Sequence, residues 1–144
     1  ELIASPHPLR YVMEPFTSIS LAWGSLGRSI LAQLPPGEIE AALKAARRGP
    51  VSHRPVPDRQ ALLEELAQIR RTGAAVYEDP DLDLAGVAAP VFGAEGKVRG
   101  SLGVIMPDTR FSRHDAEAMA RSVATAAEQL SEVLGAEPAR ARRR

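Results

Sequence analysis

The 144-residue sequence contains no cysteine, which excludes a disulfide framework, a thiolate nucleophile, an iron–sulfur centre and any cysteine-based zinc site. Aromatic residues make up only 4%. Trp23, Tyr11, Tyr77, Phe16, Phe92 and Phe111 are too few and too scattered for a base-stacking platform. Neither sign of charge dominates: Lys+Arg and Asp+Glu are 18 each, a formal net charge of zero. Such a balance supplies little of the phosphate neutralisation that nucleic-acid binding needs. No apolar run approaches the roughly 18 residues of a membrane helix. Residues 1–6 lack the basic start and apolar stretch of a signal peptide. A cytoplasmic, membrane-free location is the default expectation, and direct contact with DNA by this segment is not expected.

What is present is ordinary globular material, 44% hydrophobic and 25% charged. The length suits one domain, large enough to bury roughly two thirds of the surface of its unfolded chain. Because the sequence opens with Glu1, an upstream region is expected to precede it.

Local signals alternate between strand and helix. Residues 9–13 are rich in β-formers after Pro6 and Pro8 and read as a strand. Residues 18–23 begin with polar–apolar alternation and run to Gly24, a strand handing over to a helix. From Ser25 a helical stripe of Leu26, Ile30, Leu31 and Leu34 runs into Pro35 and Pro36. A second helix is expected over 37–46, with Ile39, Ala42 and Leu43 on one face. Three prolines (50, 55 and 57) make 49–57 a surface loop. Asp58 caps a third helix that ends at Gly73, with Leu62, Leu63, Leu66 and Ile69 inward. A short strand over 74–77 leads into an acidic, solvated loop over 78–83. Strands over 86–92 and 97–105 are joined by a four-residue connection, Gly93 to Gly96, with positive φ expected at glycine. Ser112 to Asp115 resembles a capping box for a last helix of about 22 residues, roughly 33 Å long. Phe111 is placed to staple against Ala116, and Gly135 and Pro138 end the helix. A folded part over 1–135 and a basic, disordered tail over 136–144 complete the layout. Mixed elements around an antiparallel hairpin predict the α+β class.

Chemical motifs fail one by one. Gly24-Ser25-Leu26-Gly27 is a partial nucleophile elbow, but Trp23 stands where the motif needs glycine. His7, His53 and His114 fall in unrelated settings, so no triad and no histidine zinc site is expected. Gly93 to Lys97 lacks the spacing and hydroxyl residue of a phosphate loop. Asp79, Asp81 and Asp83 copy the first ligand positions of a calcium loop, yet the turn glycine is missing and Pro90 holds the twelfth place. No catalytic residue, cofactor or metal is therefore expected. What remains is the start of the first long helix, where the free amides around Gly24 and Ser25 suit a carboxylate or phosphate. Equally, the Ser25 side chain could cap its own helix.

The residues around Ser25 belong to a longer pattern. Ser5-Pro6-His7-Pro8-Leu9-Arg10, then residues 27–35, then Ile69-Arg70-Arg71-Thr72-Gly73, and then residues 88–92 and 96–102 follow in order. With Pro107, Arg110 and the long last helix, the chain resembles the effector-binding domain of the IclR family of bacterial transcriptional regulators. That resemblance implies a GAF-like fold, a curved antiparallel sheet with packed helices and a cavity for a small effector. It also implies an N-terminal winged helix-turn-helix domain ahead of this segment, through which DNA is bound, and assembly into homodimers or homotetramers.

Carried over by position, the ligand would meet Gly24, Ser25 and Leu26 at the helix start, Tyr77 or Glu78 after Gly73, Gly86 before Val87, and Gly103 and Ile105 on the last strand. Tyr11, Met13, Ile19, Leu21 and Trp23 would form apolar wall. Several positions depart from the family: Arg28 replaces a common lysine, Ala22 a histidine and Gly86 a cysteine, and Gly103 and Ile105 stand where some acid-binding members have serine. Each missing hydroxyl forfeits about 0.5–1.5 kcal/mol of net hydrogen bonding. The expected ligand is accordingly an apolar or aromatic acid, its acidic group at Gly24 to Leu26. The rival expectation is a purely structural dimerisation domain with no ligand cavity, supported by the alanines of the last helix and favoured by a filled interior near Ser25. An esterase ranks last.

Overall fold

The computed structural model describes residues 3–7, 18–46 and 54–137. Its helices are α1 (Gly24–Leu31), α2 (Pro36–Ala45), α3 (Arg59–Thr72) and α4 (Arg113–Val133). Its strands are β1 (Ala75–Asp79), β2 (Leu84–Phe92) and β3 (Val98–Pro107), antiparallel and in the order β1-β2-β3. The α+β expectation holds. The expected strand at 9–13, with Tyr11 and Met13, and residues 138–144 of the expected 136–144 tail lie outside the described residues, whereas Ala136 is buried against the end of α4.

Several boundaries follow from local chemistry. Asp58 caps α3 by accepting the Ala61 N–H at 2.9 Å, and Gly73 ends it at φ +83° with its own N–H on the Ile69 carbonyl. α4 ends in a Schellman motif: Gly135 has φ +82°, its N–H reaches Glu132 O, and the buried Ala136 reaches back to Ser131 O. At the other end of α4 the expected capping box does not form. Ser112 occupies the cap position without a side-chain bond, because the Asp115 N–H is already taken by the Ser112 carbonyl at 2.9 Å.

Register sorts the sheet into two faces. Tyr77, Gly86 and Ile105 form one cross-strand row, and Ala75, Ala88 and Gly103 the next row on the same face. The opposite face carries Val87, Ala89 and Val91, packed with Val123 and Ala127 of α4. Ser131 locks α4 to the sheet, accepting the Phe92 N–H at 2.9 Å and donating to Ala127 O at 2.6 Å. On the first face, Leu31, Ile39, Leu62, Leu66, Ile69 and Tyr77 join α1, α2, α3 and β1 in a second buried cluster.

Three expectations need correction. The alternating stretch before Gly24 is not a strand: Leu21 to Trp23 form a turn, with the Trp23 N–H on Ser20 O at 3.1 Å. Of the expected stripe, Leu31 is buried in α1, but the rest of the buried side is Ser25, Arg28 and Ser29 rather than Leu26 and Ile30. The glycines beneath the helix let it come close, Gly86 leaving room for Ser25 and Gly103 for Leu26. Asp79 is no solvated loop residue: it ends β1 and is 3% exposed.

Candidate functional site

Gly24 opens α1 at φ +69°, a conformation that glycine adopts without strain. The cap position falls on Trp23, which makes no side-chain capping bond, so Ser25 lies within the helix and is not its cap. Instead Ser25 rests on the sheet. A Cβ built at Gly86 would stand 2.8 Å from Ser25 Oγ. One at Gly103 would meet Leu26 Cδ2 at 2.9 Å, Ala88 Cβ at 2.8 Å and Val87 O at 2.7 Å. Ser25, Leu26, Gly86 and Gly103 are therefore brought together, with Ile105 in the row of Gly86, and the contact between them is closed.

One turn further along α1, Arg28 is 9% exposed and makes three contacts. Its Nε donates to Ala22 O at 3.1 Å, its Nη1 to Glu65 Oε2 at 2.6 Å, and its guanidinium carbon lies 4.8 Å from the Tyr77 ring centre. A buried cation–π contact of this kind contributes roughly 1–2 kcal/mol. Tyr77 in turn donates its hydroxyl to Asp79 Oδ2 at 3.2 Å, and Arg54 stands 3.7 Å from both Asp79 and Asp81. Burial first, and the neighbouring Asp79 carboxylate second, push the Tyr77 phenol above its ordinary pKa, against the opposing pull of Arg28.

Beside this chain of charges opens a cavity of about 450 Å³. Trp23, Tyr77 and Glu78 line it, as do Arg28, Glu65 and the extended segment Arg54 to Asp58. The volume lies in the range of small-molecule sites, roughly 300–1,000 Å³. One atom of the wall is anomalous: Glu65 Oε1 is buried and accepts no hydrogen bond. Of the residues proposed from sequence, Trp23, Tyr77 and Glu78 thus border open space, whereas Ser25, Leu26, Gly86 and Gly103 pack on one another. Ile19 is 42% exposed.

Sequence reasoning passed over Arg54, Glu65 and the proline-rich wall. A signal for Glu65 was available. It sits among Leu62, Leu66 and Ile69 at helical spacing, so a carboxylate there lies at the edge of an inward face. Arg28 is the matching cation on α1. Among the described residues no cluster of His, Asp or Glu is placed to hold a metal ion, and no helix is long and apolar enough to cross a membrane.

This architecture, helices on an antiparallel sheet with a cavity at the α1 side, defines a small α+β domain with a pocket. Residues 3–132 match the family model for the bacterial transcriptional regulator IclR C-terminal domain, and the chain belongs to that family. It is 30% identical over 124 residues to the HTH-type transcriptional regulator BhcR of Paracoccus denitrificans, covering 85% of this chain and 44% of BhcR. The fold superposes on the C-terminal domain of the Escherichia coli transcriptional regulator KdgR with a TM-score of 0.69 and 26% identity, covering 81% of this chain and 71% of that one. For the Thermotoga maritima IclR the values are 0.73 and 25%, over 88% of this chain and 54% of that one. The chain spans less than half the length of BhcR.

Proposed function

We propose that this chain is the effector-binding and oligomerisation domain of an IclR-type regulator, and that a small organic molecule occupies the cavity between Trp23, Tyr77 and Glu65. The observation that carries the reading is the cavity itself, which joins aromatic wall to charged groups already fixed in place. Ligand binding would favour one packing of effector domains over another and so reposition the winged helix-turn-helix domains of the whole regulator. Only differential affinity for the two arrangements is required, and no bond is made or broken. Gly24, Ser25 and Leu26 remain in the proposal only as the start of the helix that carries Arg28.

A second reading, a dimerisation domain without a ligand, is favoured by two observations. Ser25 and Leu26 close directly on Gly86 and Gly103. The end of α4 also exposes Val133 at 82% and Leu134 at 48%, an apolar patch suited to a partner surface.

A melting-temperature screen separates the readings. Small organic acids, amines and neutral ring compounds are tested on the native chain and on Val56→Trp, which fills the cavity from its wall. A ligand at 100 times its Kd stabilises by about 2.7 kcal/mol, and the effector reading expects such compounds to lose their effect in the variant. Compounds that stabilise both proteins equally, or none at all, favour the dimerisation domain.

A further inference from the structure

The cavity's charges are unevenly used, and the imbalance names a ligand class. Among the described residues, two guanidinium groups meet five carboxylates, with Asp58, Glu65 and Glu78 in the lining and Asp79 and Asp81 beside Arg54. Both cations are engaged. Arg28 is shared among Ala22 O, Glu65 Oε2 and the Tyr77 ring, and Arg54 lies between two aspartates. On the anionic side, Glu65 uses only one oxygen on Arg28 while its other, Oε1, is buried without a donor. A buried acceptor left unpaired is destabilising, and a charged one more so than a neutral one. Glu65 as a whole is not locked away, since its side chain is 32% exposed and borders the cavity. For a ligand to reach Oε1 the carboxylate must turn about its terminal torsion, which is a broad one.

We infer that the cavity selects an organic cation, a primary amine on an apolar body, whose ammonium group donates to Glu65 Oε1 while the body lies against Trp23, Pro55 and Val56. The inference rests on the effector reading above and departs from the acid expected from sequence alone. An anionic ligand would bring a further negative charge to a wall whose described carboxylates outnumber its described cations, and would compete with Glu65 for Arg28. A neutral alcohol could donate to Oε1 without countering the charge, so it ranks between the two.

The test uses three probes of nearly one shape, phenethylamine, phenethyl alcohol and 3-phenylpropanoate, titrated calorimetrically into the whole chain. Charge-assisted hydrogen bonds exceed neutral ones enough to predict that the amine binds about tenfold or more tighter than the alcohol. The acid is expected to bind weakest. In Glu65→Gln the advantage of amine over alcohol should fall to about threefold or less. Glu78→Gln, which changes an exposed carboxylate of the wall, should reduce it by no more than about threefold, since an exposed charge is screened. The comparison within the native protein stands whether or not Glu65→Gln folds. Preferred binding of the acid, or an amine preference that survives intact in Glu65→Gln, overturns the inference and leaves the effector reading standing. Binding of none of the three, in a protein that also gives no stabilising compound in the broader screen, overturns both.

Discussion

The two faces of the sheet are built to different rules. Against α4, Val87, Ala89 and Val91 meet Val123 and Ala127 in an apolar layer sealed at its end by Ser131. Against α1, the sheet offers Gly86 and Gly103, and the helix answers with Ser25, Leu26 and Arg28. The first face gains stability from the burial of branched side chains. The second gives up side-chain volume for proximity, and the close approach carries Arg28 over Tyr77, where the polar chain and the cavity begin. One sheet thus separates a layer that holds the domain together from a layer that presents chemistry.

If proximity matters as described, restoring side-chain volume on the α1 face is the most damaging change. Gly103→Val is expected to destabilise the domain by about 3 kcal/mol in denaturant unfolding, because its new atoms meet the Val87 carbonyl, which cannot rotate away. Gly37→Ala, in α2 with nothing within 4 Å, is the control and should gain up to about 1 kcal/mol. Equal losses at both positions would break the comparison. Next in size, Ser131→Ala removes a buried hydroxyl that serves both Phe92 and Ala127, with an expected loss of about 1–2 kcal/mol and faster amide exchange at Phe92. Unchanged exchange there would mean that α4 is held by its apolar layer alone. Arg28→Met keeps much of the stem's packing but leaves Glu65 without its cation. The substitution also removes the contact with Tyr77 and the bond to Ala22 O, so the loss is expected at about 1–2 kcal/mol. The Glu65 share of it, with Glu65 a third exposed, should shrink at high salt.

Tyr77 gives the gentlest test of the polar layer. Its folded pKa lies above that of the unfolded chain, so its contribution to stability is complete below the ordinary tyrosine value near 10 and is lost as pH rises through the raised one. In a Tyr11→Phe background, where Tyr77 is the remaining tyrosine, absorbance titration should show phenolate forming later than in the unfolded chain. Coincident curves would contradict the buried environment.

The family, the α+β class, α3 with both of its caps and the central hairpin were legible in the sequence because local chemistry fixes them: Asp58 and Gly73 need only their own helix. The connection before β3 was legible in place but not in detail, since Glu95 as well as Gly96 takes positive φ. Apart from Leu31, the buried side of α1 was not legible. Its apolar stripe of Leu26, Ile30, Leu31 and Leu34 is real as a pattern, yet the partner surface decides which side turns inward, and that surface is assembled from β2 and β3 some sixty to eighty residues later. Arg28, Glu65 and Arg54 share that difficulty, since three charges on separate segments become one network only after the chain has folded. The proline-rich stretch before Asp58 read as a surface loop because its composition excludes a regular element, not because it lacks a wall to form.

Trp23 is the sole tryptophan of the chain and lines the cavity, so its emission reports on that site alone. For a compound that raises the melting temperature of the native chain, titration should change Trp23 fluorescence with the same midpoint that calorimetry gives. Saturable binding of such a compound with Trp23 emission unaltered would place the ligand elsewhere and contradict the account.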